Sequence, residues 1–329
     1  MTVVGLDIGG SQCAVVLADF GARVVFRDRI EFDTAPGNGP AYAQGLLFES
    51  IDRILASNSL AARDVDSFGV SCGGPLDASR GVILNPPNLP GWIDVPIASM
   101  LERRYGRPAF LQNDAKACAL AEWKFGAGIG TTDMLFLTMG TGFGCGIICD
   151  GRLVMGVRGM AGEVGHIRLA DDGPVGFGKA GSVEGFCSGG GIALHARERL
   201  TRLAEEGRAP DWAHDALSIA AVDTRLLAGK ANSGDPFALD LFDDTGRMLG
   251  KALSIFIDTL NPEIIVIGSV FARCESLLRP AMEAEIGREA LAASAGACRV
   301  VPSRLGESLG DYASVLSGAA TILNPEAAK

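Results

Sequence analysis

Two glycine-rich turns, each entered from an apolar strand, stand on either side of an Asn-Asp pair, and this arrangement limits what the chain can become. The first turn is Asp7-Ile8-Gly9-Gly10-Ser11, in VVGLDIGGSQCAVVLAD. The second is Gly140-Thr141-Gly142-Phe143-Gly144, in MLFLTMGTGFGCGIICD. The two stretches overlay as strand, glycine turn, strand. Glycine admits close approach of a ligand to the backbone and adopts positive φ without steric cost. Successive turn N–H groups then form a concavity that binds anions. Between the turns, Asn113-Asp114 sets a carboxylate after an apolar stretch, available to accept a proton. Two phosphate cradles and one base point to phosphoryl transfer.

The chain of 329 residues exceeds the usual size of a single core, so two lobes are expected. A net charge of -10 argues against nucleic acid or an anionic membrane as the main partner. A nucleotide is still compatible, because backbone amides and a divalent cation neutralise phosphate locally. The cysteines are scattered without a CxxC pair, which reads as small buried hydrophobes rather than a metal site. No apolar run reaches the roughly 18 residues of a membrane span. MTVVGLDIGG shows no basic leader, so a cytoplasmic protein is expected.

Periodicity predicts strands through Asp19 around the first turn, at 24–30, 67–72 and 109–112, and helices at 41–57, 97–105 and 115–125. Asp114 then sits at a strand-to-helix corner. NPPNLPGW (85–92) is an irregular loop, with Trp92 packing it down. Further on, a hairpin is predicted from 134–137 and 144–149, and helices at 192–206, 216–230 and 236–260. A buried strand follows at 264–267 and a last helix at 312–323. The pattern gives α/β lobes: 1–113, completed by a C-terminal helix at 311–329, and 114–310.

The ordered set DIGGS, GVSCGGPLD, NPPNLPGW, NDAKACALAE, GTGFGCGI, AGEVGH and NPEIIVIGS resembles the ROK family of sugar kinases and sugar-responsive repressors. The resemblance implies a two-lobed actin/hexokinase/Hsp70-like ATPase fold with ribonuclease H-like lobes and a central cleft. It implies that Asp7, Gly9, Gly10 and Ser11 form the first phosphate loop, with Asp7 organising Mg²⁺ through water. Gly140, Thr141, Gly142 and Gly144 would face the phosphates of ATP, and Gly268 would lie by the adenosine. Asn88, Asn113, Glu163, His166 and Glu184 would bind the sugar, and Asp114 would be the general base. A homodimer is typical of the family.

The chain departs from the family pattern at its structural zinc site. Where cysteine ligands are typical, it carries Val175, Phe177 and Ser182, so no zinc is expected and packing by Val175 and Phe177 is expected to hold the segment instead. Ser11-Gln12 replaces the common Thr-Lys, and Gly268-Ser269-Val270 replaces a longer glycine run. Some residues also have plainer uses. Asn113-Asp114 suits a helix N-cap, Lys116 reads as an exposed helix lysine, and the glycines at 189–191 read equally as a phosphate site or a flexible connection.

The resulting expectation is an ATP- and Mg²⁺-dependent kinase acting on a hexose or N-acetylhexosamine, at the 6-hydroxyl. Glucose, an N-acetylated hexosamine, mannose and fructose all fit the same polar shell. The alternative is a non-catalytic sugar sensor. The family's repressors add an N-terminal helix-turn-helix, and with this sequence starting at the first phosphate strand no DNA-reading element is expected. A polyphosphate donor is a third reading, with no basic groove visible in the sequence to favour it.

Overall fold

The computed structural model describes residues 1–319. They fall into two compact units, the first comprising Met1–Ile129, Met155–Ala161 and the chain from Glu307 onward, the second Gly130–Val154 and Gly162–Gly306.

The first unit opens with an antiparallel meander, β1 (Thr2–Ile8), β2 (Gln12–Phe20) and β3 (Val24–Asp33), followed by helix α1 (Pro40–Ser57). Strand β4 (Ser67–Cys72), a small hairpin of β5 (Leu76–Asp77) and β6 (Val82–Ile83), helix α2 (Ile97–Tyr105), β7 (Ala109–Asn113) and α3 (Asp114–Phe125) follow. The five-stranded sheet has the order β3-β2-β1-β4-β7, with β4 parallel to β1 and β7 parallel to β4. Strand alternation sorts its two faces. Val4, Leu6 and Ile8 join Leu47, Ile51 and Ile54 of α1 in one core, with Trp92 from the proline-rich loop. Val3 and Val16 face the other way, with Val315 of the closing helix, Leu309–Gly318. Local signals set the helix ends: Pro at the first turn of α1, and a left-handed Gly106 after α2.

The second unit repeats this plan. Strands β8 (Met134–Met139), β9 (Phe143–Cys149) and β10 (Arg152–Leu153) form the meander, and β11 (Val175–Gly176) pairs with β12 (Lys179–Ala180) in a separate hairpin. Helices α4 (Val183–Cys187), α5 (Gly189–Glu205), α6 (Ala216–Ala220), α7 (Thr224–Asn232) and α8 (Pro236–Leu260) lead to β13 (Ile264–Ile267). Helices α9 (Val270–Glu289) and α10 (Ala292–Ala297) then precede β14 (Arg299–Pro302). The sheet order β10-β9-β8-β13-β14 has the same antiparallel-then-parallel arrangement as the first. The strand–turn–strand echo in the sequence therefore extends to whole sheets.

Several elements differ from expectation. The first unit runs to Ile129 instead of stopping at 113, because α3 packs on the closing helix and on β4 and β7. The strap Met155–Ala161 joins it too. The single helix expected at 216–230 is two, since Asp215 caps α6 through Ser218 N–H and Asp223 caps α7 through Leu226 N–H. Helix α9 carries Pro280 in its interior and a non-helical Cys274, which mask its periodicity in sequence. The closing helix starts at Leu309; the part of its expected span beyond 319 lies outside the described residues. Among the described residues no helix is long and apolar enough to cross a membrane.

One packing expectation fails. Val175 and Phe177 are 47% and 65% exposed, so they do not fix the segment where zinc ligands are typical. Hydrogen bonds do this instead: Leu169 N–H to Gly181 O (2.8 Å), Val183 N–H to Ile167 O (2.9 Å), Arg168 to Ala180 O (2.8 Å) and Lys179 to His166 O (2.7 Å). The physical reason is the hairpin itself, whose tip at Phe177 has a φ of 44° and points its ring outward. Phe177→Ala is thus expected to change stability by no more than about 0.5 kcal/mol, as read from a denaturant melt. Gly69 is the opposite case. A Cβ there would collide with the backbone of Ser314 and Gly318, and Ser67 Oγ donates to Gly318 O at 2.8 Å. Gly69→Ala should push the closing helix off β4 and cost about 3 kcal/mol in the same assay; a near-neutral result would contradict this packing.

Candidate active site

In the first unit the parallel strands bring the polar residues together at their carboxyl ends. Asp7 lies opposite Ser71, and Cys72 lies opposite Asn113, so Asp7 and Asn113 end on adjacent rows. Asn113 caps α3, its Oδ1 accepting from Lys116 N–H at 3.3 Å, while its Nδ2 donates to Asp114 Oδ1 at 3.2 Å. Asp114 Oδ1 also accepts from Ala115 N–H at 2.7 Å. The cap and the candidate base are therefore one structure, not competing alternatives. Asn88 and Asp114 converge over Gly73, where a Cβ would lie 3.3 Å from Asn88 Nδ2 and 3.7 Å from Asp114 Oδ2.

The first glycine turn abuts the same loop. A Cβ on Gly10 would lie 2.6 Å from the Asn88 carbonyl oxygen, so a side chain there would displace the loop. Gly9 N–H donates to Gln12 O at 3.0 Å, closing the turn. Ser11 is exposed, and its carbonyl accepts from Thr34 N–H at 2.8 Å. Burial, with the carboxylates of Asp114 and Asp311 nearby, pushes Asp7 up to about 7. Burial also raises Asp114, opposed by the Ala115 N–H and the Lys116 charge. A raised carboxylate is better matched to taking a proton near neutral pH.

In the second unit, Gly140, Thr141 and Gly142 follow β8, Gly144 lies within β9 opposite Thr138, and Gly268 follows the neighbouring β13, its N–H donating to Leu137 O at 2.9 Å. Ser269 adopts φ 58° and ψ -115°, a conformation that favours glycine. The glycines at 189–191 open α5 against the second turn, with Gly189 N–H donating to Gly140 O at 2.7 Å. Glu184 Oε2 accepts from Phe143 N–H at 3.0 Å. Glu163 precedes, and His166 ends, a single helical turn, Val164–His166, packed on β9. Both are exposed, and the His166 ring meets Phe177 edge-on at 6.4 Å.

Two residues near these sites escaped sequence reasoning, and a third was misjudged. Thr34, 1% exposed, donates to Gly9 O at 2.6 Å and so braces the first turn. Asp311, held by Arg29 Nε at 3.0 Å, brings a further carboxylate towards Asp7 from a distant part of the chain. Lys116 corrects an expectation: it is 2% exposed, and its Nζ donates to Gly159 O at 2.7 Å. The small residues around it in NDAKACALAE are the available signal that this helix is buried on several sides.

The raised Asp7 has a consequence for the ligand-free protein. Its proton is held more tightly in the fold than at the ordinary carboxylate value of 3.8. Asp7 therefore favours the folded state most below that value, and the contribution is lost as pH rises through about 7. In thermal melts without ligand, the Tm gain of Asp7→Asn over wild type should grow from about pH 4 to about 7 and then level off. A gain that is constant with pH, or that shrinks, would contradict this environment for Asp7.

With this geometry in place, the resemblance can be measured. A model of the ROK family matches residues 3–325. The glucokinase of Halalkalibacterium halodurans is 34% identical over 281 residues, 84% of this chain and 83% of its own. The N-acetylmannosamine kinase of Shigella flexneri is 32% identical over 279 residues, 84% and 86% of the two chains. A ROK family glucokinase from Streptomyces griseus, solved in complex with glucose and AMPPNP, superposes with a TM-score of 0.76 at 26% identity, covering 97% of this chain and 100% of that one. A ROK family transcriptional regulator, homolog of the E. coli MLC protein, superposes with a TM-score of 0.79 at 25% identity, covering 98% and 78%. The ordered motifs, the paired sheets and a family match across nearly the whole chain agree: this protein belongs to the ROK family and has its actin-like ATPase fold.

Proposed function

We propose that the protein is an ATP-dependent sugar kinase that transfers the γ-phosphoryl group to a hydroxyl of a hexose or N-acetylhexosamine, the 6-hydroxyl. The observation that carries this reading is the placement of Asp114. Its carboxylate is half-buried, oriented by Ala115 N–H and Asn113 Nδ2, and lies over Gly73 beside Asn88. A sugar hydroxyl is a poor nucleophile and needs such a carboxylate at the acceptor oxygen. Asn88 and Asn113 supply amide donors and acceptors suited to adjacent hydroxyls. Glu163, His166 and Glu184 complete the sugar shell in this reading, and Gly140, Thr141, Gly142, Gly144 and Gly268 take the nucleotide.

The chemistry of the first turn suits Mg²⁺. Asp7 is a hard oxygen donor whose ionisation is resisted by burial and by two neighbouring carboxylates, a situation that a divalent cation relieves. Asp7 would hold the ion through water, alongside the phosphates, and the ion would neutralise phosphate charge. Gly9, Gly10 and Ser11 shape the backbone there. As in the family it resembles, we read the protein as a cytoplasmic homodimer.

The test is a panel of sugars with ATP and Mg²⁺, read by ADP release. Glucose and N-acetylmannosamine come first, because the relatives named above act on them by name. At least one sugar should release ADP well above the water background. Asp114→Asn should then lower kcat by about 10²–10⁴-fold with little change in sugar affinity. The likeness to a transcriptional regulator favours a second reading, a sugar sensor. If no sugar releases ADP above the water background while one still binds, the sensor reading holds and the kinase reading ends.

A further inference from the structure

We propose that Glu184 is a positioning residue for the second glycine turn, so that one carboxylate serves both the nucleotide turn and the sugar shell. This rests on the kinase reading above. In sequence, Glu184 and the turn at 140–144 carry separate roles; in the structure they touch. Glu184 lies in the first turn of α4, whose start is fixed by Ser182 Oγ accepting from Gly185 N–H at 3.1 Å. From that capped helix, Glu184 Oε2 reaches Phe143 N–H at 3.0 Å. A Cβ on Gly142 would lie only 2.9 Å from the same oxygen, so the carboxylate rests directly on the turn.

The segment that carries Glu184 also grips the other end of the turn. Gly189 N–H donates to Gly140 O at 2.7 Å, and a Cβ on Gly190 would lie 2.7 Å from Thr141 O. Ser188 caps α5 by accepting from Gly191 N–H at 2.9 Å, which holds these glycines in place. The glycines at 189–191 thus serve as a seat for the turn. Residues 184–190 bind it at Gly140 and at Phe143, and the peptides of Thr141 and Gly142 lie between the two anchors.

A backbone cradle binds phosphate well only when its amides are already aimed, because reorganising them would consume binding free energy. A carboxylate accepting from Phe143 N–H fixes the turn before nucleotide arrives. It also occupies that amide, which leaves an incoming phosphate to the amides of Thr141 and Gly142. With Oε2 on the turn, Oε1 is the oxygen through which Glu184 would meet a sugar hydroxyl. Loss of this side chain should therefore weaken both ligands, and loss of its charge alone should not.

The experiment is calorimetric titration of AMPPNP with Mg²⁺, without sugar, into wild type, Glu184→Gln, Glu184→Asp and Glu184→Ala. Glutamine keeps an acceptor oxygen at the same reach, whereas aspartate keeps the charge but falls short of Phe143. The alanine and aspartate variants should bind AMPPNP roughly tenfold or more weakly, and glutamine within about threefold of wild type. In turnover, alanine should raise KM for both ATP and sugar, while glutamine raises it mainly for sugar. A residue that only supported the fold would not produce that split. If alanine fails to fold, as judged by thermal melting, the aspartate and glutamine pair decides the question. Wild-type binding with equally tight AMPPNP in all variants would overturn the role of Glu184. Failure of wild type itself to bind AMPPNP would instead overturn the kinase reading.

Discussion

The register of β1, β4 and β7 is the constraint on which the candidate site depends. Three parallel strands end level, so that Asp7, Ser71 and Asn113 come to one edge of the sheet, and α3 begins there at once. Nothing local to any of these residues brings them together. The hydrophobic alternation of β1, with Val4, Leu6 and Ile8 turned to one core and Val3 to the other, fixes which face each strand presents. A slip of one residue would turn Asp7 towards α1 and bury its charge among apolar side chains. The closing helix enforces the register from the other side, because Gly69 admits its backbone at a contact no side chain would allow.

The second unit meets the same problem with a different solution. Its parallel strands, β8 and β13, deliver Gly140 and Gly268 to one edge. A glycine turn has little side chain of its own to hold its shape. Here the shape is imposed by residues 184–190, through a carboxylate at Phe143 N–H and an amide at Gly140 O. In the first unit the corresponding support comes from Thr34, which bonds both Gly9 O and Ser11 O. In each unit the glycines admit close approach of neighbouring protein atoms, and a polar residue outside the turn hydrogen-bonds its backbone.

Much of this was legible in sequence because local chemistry specifies it. Gly106 stops α2, Pro236 starts α8, and the uninterrupted IIVI at 264–267 reads as a buried strand. The candidate residues are legible because their motifs occur in order; of them, Asp7 and Asn113-Asp114 lie at the strand ends of the first sheet, and Gly140 and Gly268 at those of the second. What escaped was set by distant contacts. Asp311 approaches Asp7, and Lys116 reaches Gly159, only because helices pack on a sheet built from the rest of the chain. The exposure of Phe177 is set by its place at the hairpin tip, while the neighbouring Gly176 takes the face that packs on α4. Helix α9 was hidden by Pro280, whose effect on a long helix bound to α8 is absorbed by tertiary packing.

The central claim is that Asp114 takes the proton from the sugar hydroxyl that accepts the phosphoryl group. A crystal structure with AMPPNP, Mg²⁺ and the sugar that releases ADP tests it most directly. The account predicts one sugar hydroxyl within about 2.6–3.2 Å of Asp114 Oδ2, with that same hydroxyl aimed at the γ-phosphorus and the phosphates on the turn at 140–144. A sugar whose reacting hydroxyl instead lies beyond reach of Asp114, or against another carboxylate such as Asp7, would contradict it.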